Sequence, residues 1–523
     1  MSAASRLRVV LIKPSKYAAD GSVERFRRGF MPNSTLPHLA SMTPDDLDGA
    51  TIELHAIDEY VETDLDYLRL LEWDPQQATL VAIVGVQSHQ FHRALDLAAY
   101  ARANGVGHVV IGGPHPMTCD TSDAHGHRVS FALAEAELIW PRILRDAIDG
   151  ELQPLYGADQ RWPDVLDPPP LVPPPEHSLR RYAVQMLGVY PARGCPYRCN
   201  FCSVIKIAGR QIRSQPIETT MATLRAATAA GIRLVMFTTD NFNKYPEAET
   251  LLQAMIDERL DLPFFVQCDA QVVRQPAFVE LLGRAGCYQM FVGVESFNRA
   301  TLLAAKKNQN HPERYRELVR LCRANGIGSH FSNIIGFPAD TDATVREQLR
   351  TLRDLRPDVA SFYILTPIPG TEQYEEFLAE GLIHERNLDR FDGTCATWRH
   401  PNLSDGELVD LLFRCYREFY SLPDALTKSA HWFWQKRRSP NVLLKIATGA
   451  YSFLSRVAAA QRLHPMAGGM HRVRLDGASD YVALRRARYD FDLAPLPRSL
   501  SSSVGNYAVP LVARSSGYAG IAT

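Results

Sequence analysis

The run Arg193-Gly194-Cys195-Pro196-Tyr197-Arg198-Cys199-Asn200-Phe201-Cys202 places three cysteines at the spacing C-x3-C-x2-C. Three thiolates spaced in this way can hold three corners of an iron–sulfur cube and leave the fourth iron without a protein ligand. An iron left open can bind a small molecule, which a four-cysteine site does not normally allow. Zinc is a poorer account. It favours paired C-x2-C elements or a fourth Cys or His at a workable distance, and only one such pair is present. A disulfide is poorer still in a chain that reads as cytosolic. Cys119, Cys268, Cys287, Cys322, Cys395 and Cys415 are scattered and read as small core residues.

Downstream of this run, residues 184–375 alternate strand and helix. Strands are predicted at Leu187 to Pro191, Leu234 to Thr239, Phe264 to Cys268, Met290 to Val294, His330 to Ile335 and Ser361 to Leu365, with amphipathic helices such as Pro246 to Glu258 and Pro312 to Ala324 between them. The cysteine run leaves the first of these strands, which puts it at the carboxyl-end mouth, where barrels do their chemistry.

Residues 1–150 alternate in the same way. Val9-Val10-Leu11-Ile12, Thr51 to Ile57, Leu80 to Val86, Val109-Val110-Ile111 and Arg128 to Leu133 read as strands, and Phe91 to Ala103 as the clearest helix. The pattern implies a doubly wound parallel sheet with ligand at the strands' carboxyl ends. Residues 151–183 form a proline-rich linker carrying Pro163, Pro168, Pro169, Pro170, Pro173, Pro174 and Pro175, extended and rather stiff.

From residue 376 to 523 the period becomes mostly helical. Lys428 to Tyr489 is basic, and Leu443, Ala447, Ala450, Leu454 and Val457 recur at helical spacing. The simpler account is a helical cap whose apolar stripe packs on the barrel; the sharper one is a segment in peripheral contact with anionic membrane or a greasy substrate. The last twenty or so residues, rich in Ser, Gly and Ala, read as a loose tail.

The 523 residues suffice for two or three domains, and a formal net charge of −1 argues against nucleic acid as the bulk partner. Met1 to Arg8 lacks a signal peptide's apolar core, and no apolar run is long and uncharged enough to span a bilayer, so the cytoplasm is the expected compartment.

At the cysteine run the chain resembles the radical S-adenosylmethionine (radical SAM) superfamily. Upstream, Val84-Gly85-Val86-Gln87-Ser88-His89-Gln90-Phe91 and Ile111-Gly112-Gly113-Pro114-His115-Pro116 are similar to the loops of its cobalamin-binding, class B methyltransferase-like members. The resemblance covers roughly residues 8–420. It implies an α/β chain: a Rossmann-like cobalamin domain, a partial (β/α)6 TIM-type barrel and a helical C-terminal region. Cys195, Cys199 and Cys202 would ligate a four-iron four-sulfur cluster whose open iron takes S-adenosylmethionine, with Phe201 beside the adenine. Glu295 and Ser296, in Met290-Phe291-Val292-Gly293-Val294-Glu295-Ser296, and Asn333, in Ser332-Asn333-Ile334-Ile335-Gly336, would also bind this cofactor. Asp240 stands where many relatives have Gly-Gly-Glu, so its contact is an expectation by position alone. Gln87, Ser88, His89, Gly112, Gly113 and His115 would line cobalamin, with glycines letting backbone approach a large ring and a phosphate.

The D-x-H-x-x-G motif that supplies a cobalt-ligating histidine elsewhere is missing after the first strand, which runs Lys13-Pro14-Ser15-Lys16-Tyr17. Asp123-Ala124-His125 lacks the glycine, so no histidine ligand is expected. His89 reads as a helix-start residue with a satisfied ring. Gln267 and Asp269 share one side and either face the substrate or fill the barrel's polar upper layer.

The activity implied is transfer of a methyl group from S-adenosylmethionine, through methylcobalamin, to an unactivated centre of a natural product, peptide or lipid. An electron donor such as flavodoxin or ferredoxin would be needed. Ring contraction, cyclisation or rearrangement on the same cofactors is the alternative. A radical enzyme whose first domain binds substrate instead of cobalamin is the third reading.

Overall fold

Near-continuous apolar runs, buried on both sides, set the strands of two parallel sheets. The computed structural model describes residues 6–473, apart from 19–21, 64–65, 73, 75–76, 120, 122–128, 386, 436–441 and 466–467. Asp123-Ala124-His125 and the C-terminal tail lie outside the described residues.

The first sheet has seven strands: β1 (Arg6–Lys13), β3 (Asp46–Leu47), β4 (Ala50–Asp58), β5 (Ala78–Ile83), β6 (His108–Gly112), β7 (Ser130–Ala132) and β8 (Leu155–Tyr156). Their order is β3-β4-β1-β5-β6-β7-β8, parallel except for the β3–β4 hairpin. Alternate residues of β1 and β5 feed two separate cores. Val10, Ile12, Val81 and Ile83 pack with Phe91, Ala94 and Leu97 of the helix Phe91–Ala103. Val9, Leu11, Leu80 and Ala82 pack with Leu36, Ile139 and Trp140 on the other face. This is the doubly wound arrangement.

The second sheet holds β9 (Leu187–Val189), β12 (Val235–Phe237), β13 (Phe264–Cys268), β14 (Cys287–Glu295), β15 (Gly328–Ile335) and β16 (Val359–Ile364), all parallel, in the order β16-β15-β14-β13-β12-β9. The strands are flanked by helices as a (β/α)6 unit, and β9 and β16 remain unjoined edges. A short antiparallel pair, β10 (Ala192–Arg193) with β11 (Arg213–Ser214), brackets the cysteine run.

The free edge of β16 is capped by side chains in place of a strand. Tyr416 Oη accepts from the Phe362 amide (3.1 Å) and donates to its carbonyl (3.2 Å). Tyr420 Oη does the same at Ala360 (3.0 and 2.7 Å). His464 Nε2 stands 2.8 Å from the Phe362 carbonyl. Further on, β17 (Gly469–Val473) pairs antiparallel with β2 (Arg25–Gly29), which joins segments far apart in sequence beside the barrel's open flank. Neither β2 nor β17 has the apolar run that would mark it as a strand.

The C-terminal helices correct one expectation. On the helix Val442–Ala460 it is Ser452, Ser455 and Ala459 that are buried, while Leu454 and Val457 of the apolar stripe are 41% and 40% exposed. Small residues win the buried face because the helices approach closely: a Cβ on Gly449 would stand 2.4 Å from Ser429 Oγ. The side chains of Leu443 and Ala447 lie outside the described residues. Phe433, Trp434 and Phe453 are also exposed. Among the described residues no helix is long and apolar enough to cross a membrane.

Glu59, fully buried at the end of β4, ties the top of the first sheet together. It accepts from the Ser15 amide (2.9 Å), Arg25 (3.1 Å), Arg93 (3.0 Å) and the Tyr67 hydroxyl. Burial would push its carboxyl up, but Arg93 and Arg25 outweigh burial and hold it down at about 2. Its contribution is therefore complete above the ordinary glutamate value and fades only as pH falls toward 2. Glu59→Gln leaves two arginines buried without their anion and should destabilise the domain by about 3 kcal/mol at pH 7. A lowered urea midpoint checks this, and a shift under 1 kcal/mol would refute it.

Candidate active site

The cysteine loop is held from four sides. Gly194 has φ +105°, and a Cβ there would lie 2.2 Å from the Gln211 carbonyl, so the turn into Cys195 requires glycine. The Gly194 amide donates to Asp240 Oδ2 at 2.8 Å, and the Cys195 amide to the Gly209 carbonyl at 3.1 Å. The Asn200 amide donates to the Ala305 carbonyl at 3.2 Å. Tyr197 Oη bonds Gln271 Oε1 at 3.0 Å and Asp269 Oδ2 at 3.3 Å. Asp269 in turn takes the amides of Asn241 (2.9 Å) and Asn243 (3.2 Å), and its own N–H returns to both Oδ1 atoms. Of the two readings for Asp269, it fills the polar upper layer, where it underpins the loop.

The three thiols lie within electrostatic reach of one another. Burial pushes Cys202 up to about 12, and Cys199 and Cys195 add to the shift, while Lys307 opposes it; Cys195 is raised by burial and by Asp240 and Cys199. Three thiols within electrostatic reach of one another are a poor set of bare anions and a good set of ligands for a cationic cluster, which deprotonates what it binds. Gln309, buried, sets Nε2 3.6 Å from Cys199 Sγ. Among the described residues no three Cys, His, Asp or Glu side chains converge on one point close enough for a single metal ion. The donor set fits a multi-iron cluster.

Glu295 ends β14 at a register shift with φ +60°, a strained conformation for a residue with a Cβ. The bulge turns its carboxylate back over Gly293, where a Cβ would meet Oε1 at 2.4 Å. There it pairs with Lys307 Nζ at 2.8 Å. Burial would lower the Lys307 ammonium; Glu295, Cys199 and Cys202 outweigh burial and raise it. Lys307 Nζ also lies 5.7 Å from the centre of the Phe201 ring, which packs edge-on against Phe337. Phe201, Glu295, Lys307 and the thiols thus form one cluster. Lys307 escaped the sequence reading because it sits in an irregular turn with no motif around it.

Other expected residues lie elsewhere. Ser296 is buried with its hydroxyl on Gln348 Oε1 (3.0 Å) and the Asn298 amide (3.1 Å), a structural cap after the strand. The Asn333 amide is spent on the carbonyls of Phe331 (3.0 Å) and Ser361 (3.2 Å), on the strand face that carries Phe331 and Phe362 and away from His330 and Ser332. Asp240 is nearly buried; burial raises its carboxyl and the Gly194 amide lowers it, so this oxygen serves the loop.

The carboxyl ends of the two sheets face each other across the cysteine loop. A cavity of about 250 Å³ runs under Gly85, Gly112 and Gly113, walled by Ala82, Ala132 and Trp140 and closed from the barrel side by Tyr190, Arg193 and Asp240. Gly113 has φ +137°, and a Cβ there would fall 2.1 Å from the Val86 amide nitrogen. A second cavity of about 320 Å³ lies between Lys13 and Asp58 of the first sheet and Gly188 and Met236 of the barrel. Burial pulls the Lys13 ammonium down to about 8, with Asp58 opposing. Small walls and glycine-lined backbone at the strand ends let a flat group approach the first sheet closely, while Glu135 and Glu137 line the first cavity and Asp58 the second.

The flanking side chains are less uniform than the sequence suggested. Gln87 is exposed and opens the turn Ser88–Gln90. Ser88 and His115 are buried on each other (3.1 Å), and the imidazole centre lies 4.1 Å from that of Phe91, tilted against it. Burial lowers His115 to about 3. Burial and Lys16 lower His89 to about 3, and the ring lies by Asp392 and the Phe391 backbone.

The junction itself is ionic. Arg193 pairs with Glu137 (2.7 Å) and Glu135 (3.1 Å), Arg213 with Glu135 (2.6 Å), and His38 with Glu137 (2.8 Å).

Comparison with known proteins agrees with this arrangement. The family profile described as the radical SAM superfamily matches residues 189–352. Bacteriochlorophyllide d C-12(1)-methyltransferase of Chlorobaculum tepidum is 25% identical over 376 residues, spanning 69% of this chain and 80% of that protein. Hopanoid C-2 methylase of Rhodopseudomonas palustris is 27% identical over 338 residues, 61% of this chain and 60% of that one. Among solved structures, the radical S-adenosylmethionine methyltransferase TsrM of Kitasatospora setae, with cobalamin and an iron–sulfur cluster bound, superposes with a TM-score of 0.64 at 18% identity. The match covers 87% of this chain and 99% of that one, and shows the shared fold. The three-thiol loop, the parallel barrel that carries it and the matching profile agree: residues 189–352 of this chain carry a radical SAM domain.

Proposed function

We propose that this protein is a cobalamin-dependent radical SAM methyltransferase acting on an apolar small molecule. The observation that carries the reading is the placing of the cysteine loop and the glycine-lined cavity on one interface: Arg193 and Asp240, which fix the loop, also wall the cavity under Gly85, Gly112 and Gly113. When bound, the cluster supplies a single electron to S-adenosylmethionine and cobalamin supplies a methyl carrier.

The chain's own residues bind, orient and exclude. Cys195, Cys199 and Cys202 are the cluster ligands. Lys307 and Glu295 form a fixed ion pair that complements the carboxylate and ammonium of a bound amino acid group, and Phe201 offers a ring face beside it. Gly112 and Gly113 let backbone close on the cofactor's tail. Closed over a bound cofactor, the facing sheets would keep water from the space between them.

Two relatives are named for methylating bacteriochlorophyllide and hopanoid carbon frameworks. Exposed Leu426, Phe433, Trp434 and Phe453 support a substrate of similar character, taken up in the cytoplasm or at a membrane face. An external one-electron donor completes the requirements.

The reading is tested with anaerobically reconstituted protein, hydroxocobalamin, reductant and methyl-deuterated S-adenosylmethionine. S-adenosylhomocysteine, 5′-deoxyadenosine and deuterium recovered in the cobalamin fraction are expected. Formation of 5′-deoxyadenosine with unlabelled cobalamin would point to rearrangement or cyclisation. Cys199→Ala should abolish 5′-deoxyadenosine formation and cut iron content; retained cleavage would overturn the assignment. Lys307→Met should weaken S-adenosylmethionine binding about 10- to 100-fold, the worth of a charge-assisted hydrogen bond, while iron content holds. A dissociation constant within twofold of wild type would remove Lys307 from the site.

A further inference from the structure

On the outer side of the cysteine loop lies an open pocket of about 400 Å³, rimmed by Arg198, Arg210 and Lys306 and lined by no carboxylate. Its wall is the loop itself, Pro196 to Arg198, and its deepest side chain is Gln309, 7% exposed, whose Nε2 stands 3.6 Å from Cys199 Sγ. Arg198, Arg210 and Lys306 are all exposed, and the charges of Arg198 and Lys306 act on each other. Glu372 pairs with Lys306, and Glu376 also acts on its charge. Arg210 also donates to the Pro196 carbonyl at 3.0 Å, and the Asn200–Ala305 bond joins the Lys306 turn to the loop. Cations and cluster ligands are therefore one mechanical unit, and Leu303, 48% exposed, stands three residues before Lys306.

Two unlike features coincide here. The pocket opens from solvent onto Gln309, whose amide nitrogen stands 3.6 Å from Cys199 Sγ. Its lining carries three cations and no carboxylate on a chain whose formal net charge is only −1. A small cationic patch suits brief, electrostatically steered encounters, in which charge sets the on-rate more than the affinity.

We propose that this pocket is the docking surface for an acidic one-electron carrier protein, with Arg198 and Lys306 as steering charges. The inference rests on the cluster assignment made above. In the step, one electron leaves the carrier's reduced flavin or iron–sulfur group and enters the oxidised cluster; no covalent bond forms or breaks.

The test uses the full chain with its cluster reconstituted and follows the cluster's visible absorbance by anaerobic stopped flow. A flavodoxin in its hydroquinone state is the probe, and reduced methyl viologen, a small cation that needs no docking, is the control. The Arg198→Glu/Lys306→Glu double variant leaves Arg210 on the loop. It should lower the flavodoxin rate constant about tenfold or more at low ionic strength, flatten the wild type's fall with salt, and leave the viologen rate unchanged or faster. An unchanged flavodoxin rate would overturn the proposal, as would equal slowing with both reductants, which would mean a damaged loop. A wild-type chain with no iron–sulfur absorbance would instead overturn the cluster assignment itself.

Discussion

The molecule turns on a buried arginine. Arg193 is the last residue before the turn into Cys195, and its guanidinium lies between Glu135 and Glu137 of the first domain, with its face 5.1 Å over Tyr190. Burial would lower its charge, but Glu137 and Glu135 outweigh burial and raise it. The ends of the cluster loop are thus fixed to the α/β domain as firmly as to the barrel. A buried ion pair adds little net stability over apolar packing, and its value lies in geometry: either carboxylate left alone would be costly, so one relative placement of the two sheets is favoured. Arg213, on the strand that returns from the loop, repeats the device on Glu135 and also donates to the Ala208 carbonyl. The distance from the thiols to the glycine-lined cavity is set by these two arginines.

Several acids near the loop hold protein groups, which explains departures from simple motif reading. Asp240 occupies the place where a ligand-binding acid was expected, yet Oδ2 is taken by the Gly194 amide. Asp269 accepts from Asn241, Asn243 and Tyr197. Glu295 is instead turned by a strained bulge onto Lys307. The strain is placed where it re-aims one side chain toward the thiols.

Legibility in the sequence followed the range of the physical signal. The thiol spacing is local, and so is the apolar run that makes β5 a buried strand, so the central strands of both sheets and the thiol loop could be read directly, whereas β3 and the short β8, inside the stretch read as a linker, could not. What escaped depends on partners far along the chain. β2 reads Arg25-Phe26-Arg27-Arg28-Gly29 and becomes a strand only because β17 reaches it from the other end. Ser296 and Asn333 match motifs by position, but strand alternation and nearby backbone groups turn both away from the lumen. The helical stripe through Leu454 and Val457 has the right period and the wrong face, because period alone does not say which side a neighbour can approach most closely. Lys307 carries no pattern, and its role emerges only from where Glu295, Phe201 and Cys202 converge.

An incomplete barrel must solve a problem that a closed one does not. The edges at β9 and β16 expose unpaired backbone and leave a lateral route to the lumen. Here the edge of β16 is satisfied by the phenol groups of Tyr416 and Tyr420 and by His464, side chains that cannot extend the sheet further. The β2–β17 ribbon lies by the same flank, and Gly468, just before β17, borders the 320 Å³ cavity together with Phe30, just after β2. The segment around β17 is therefore part of the wall of this cavity. Supplying that wall from a segment so far along the sequence means that the cavity is enclosed only when barrel, first domain and β17 have all come together.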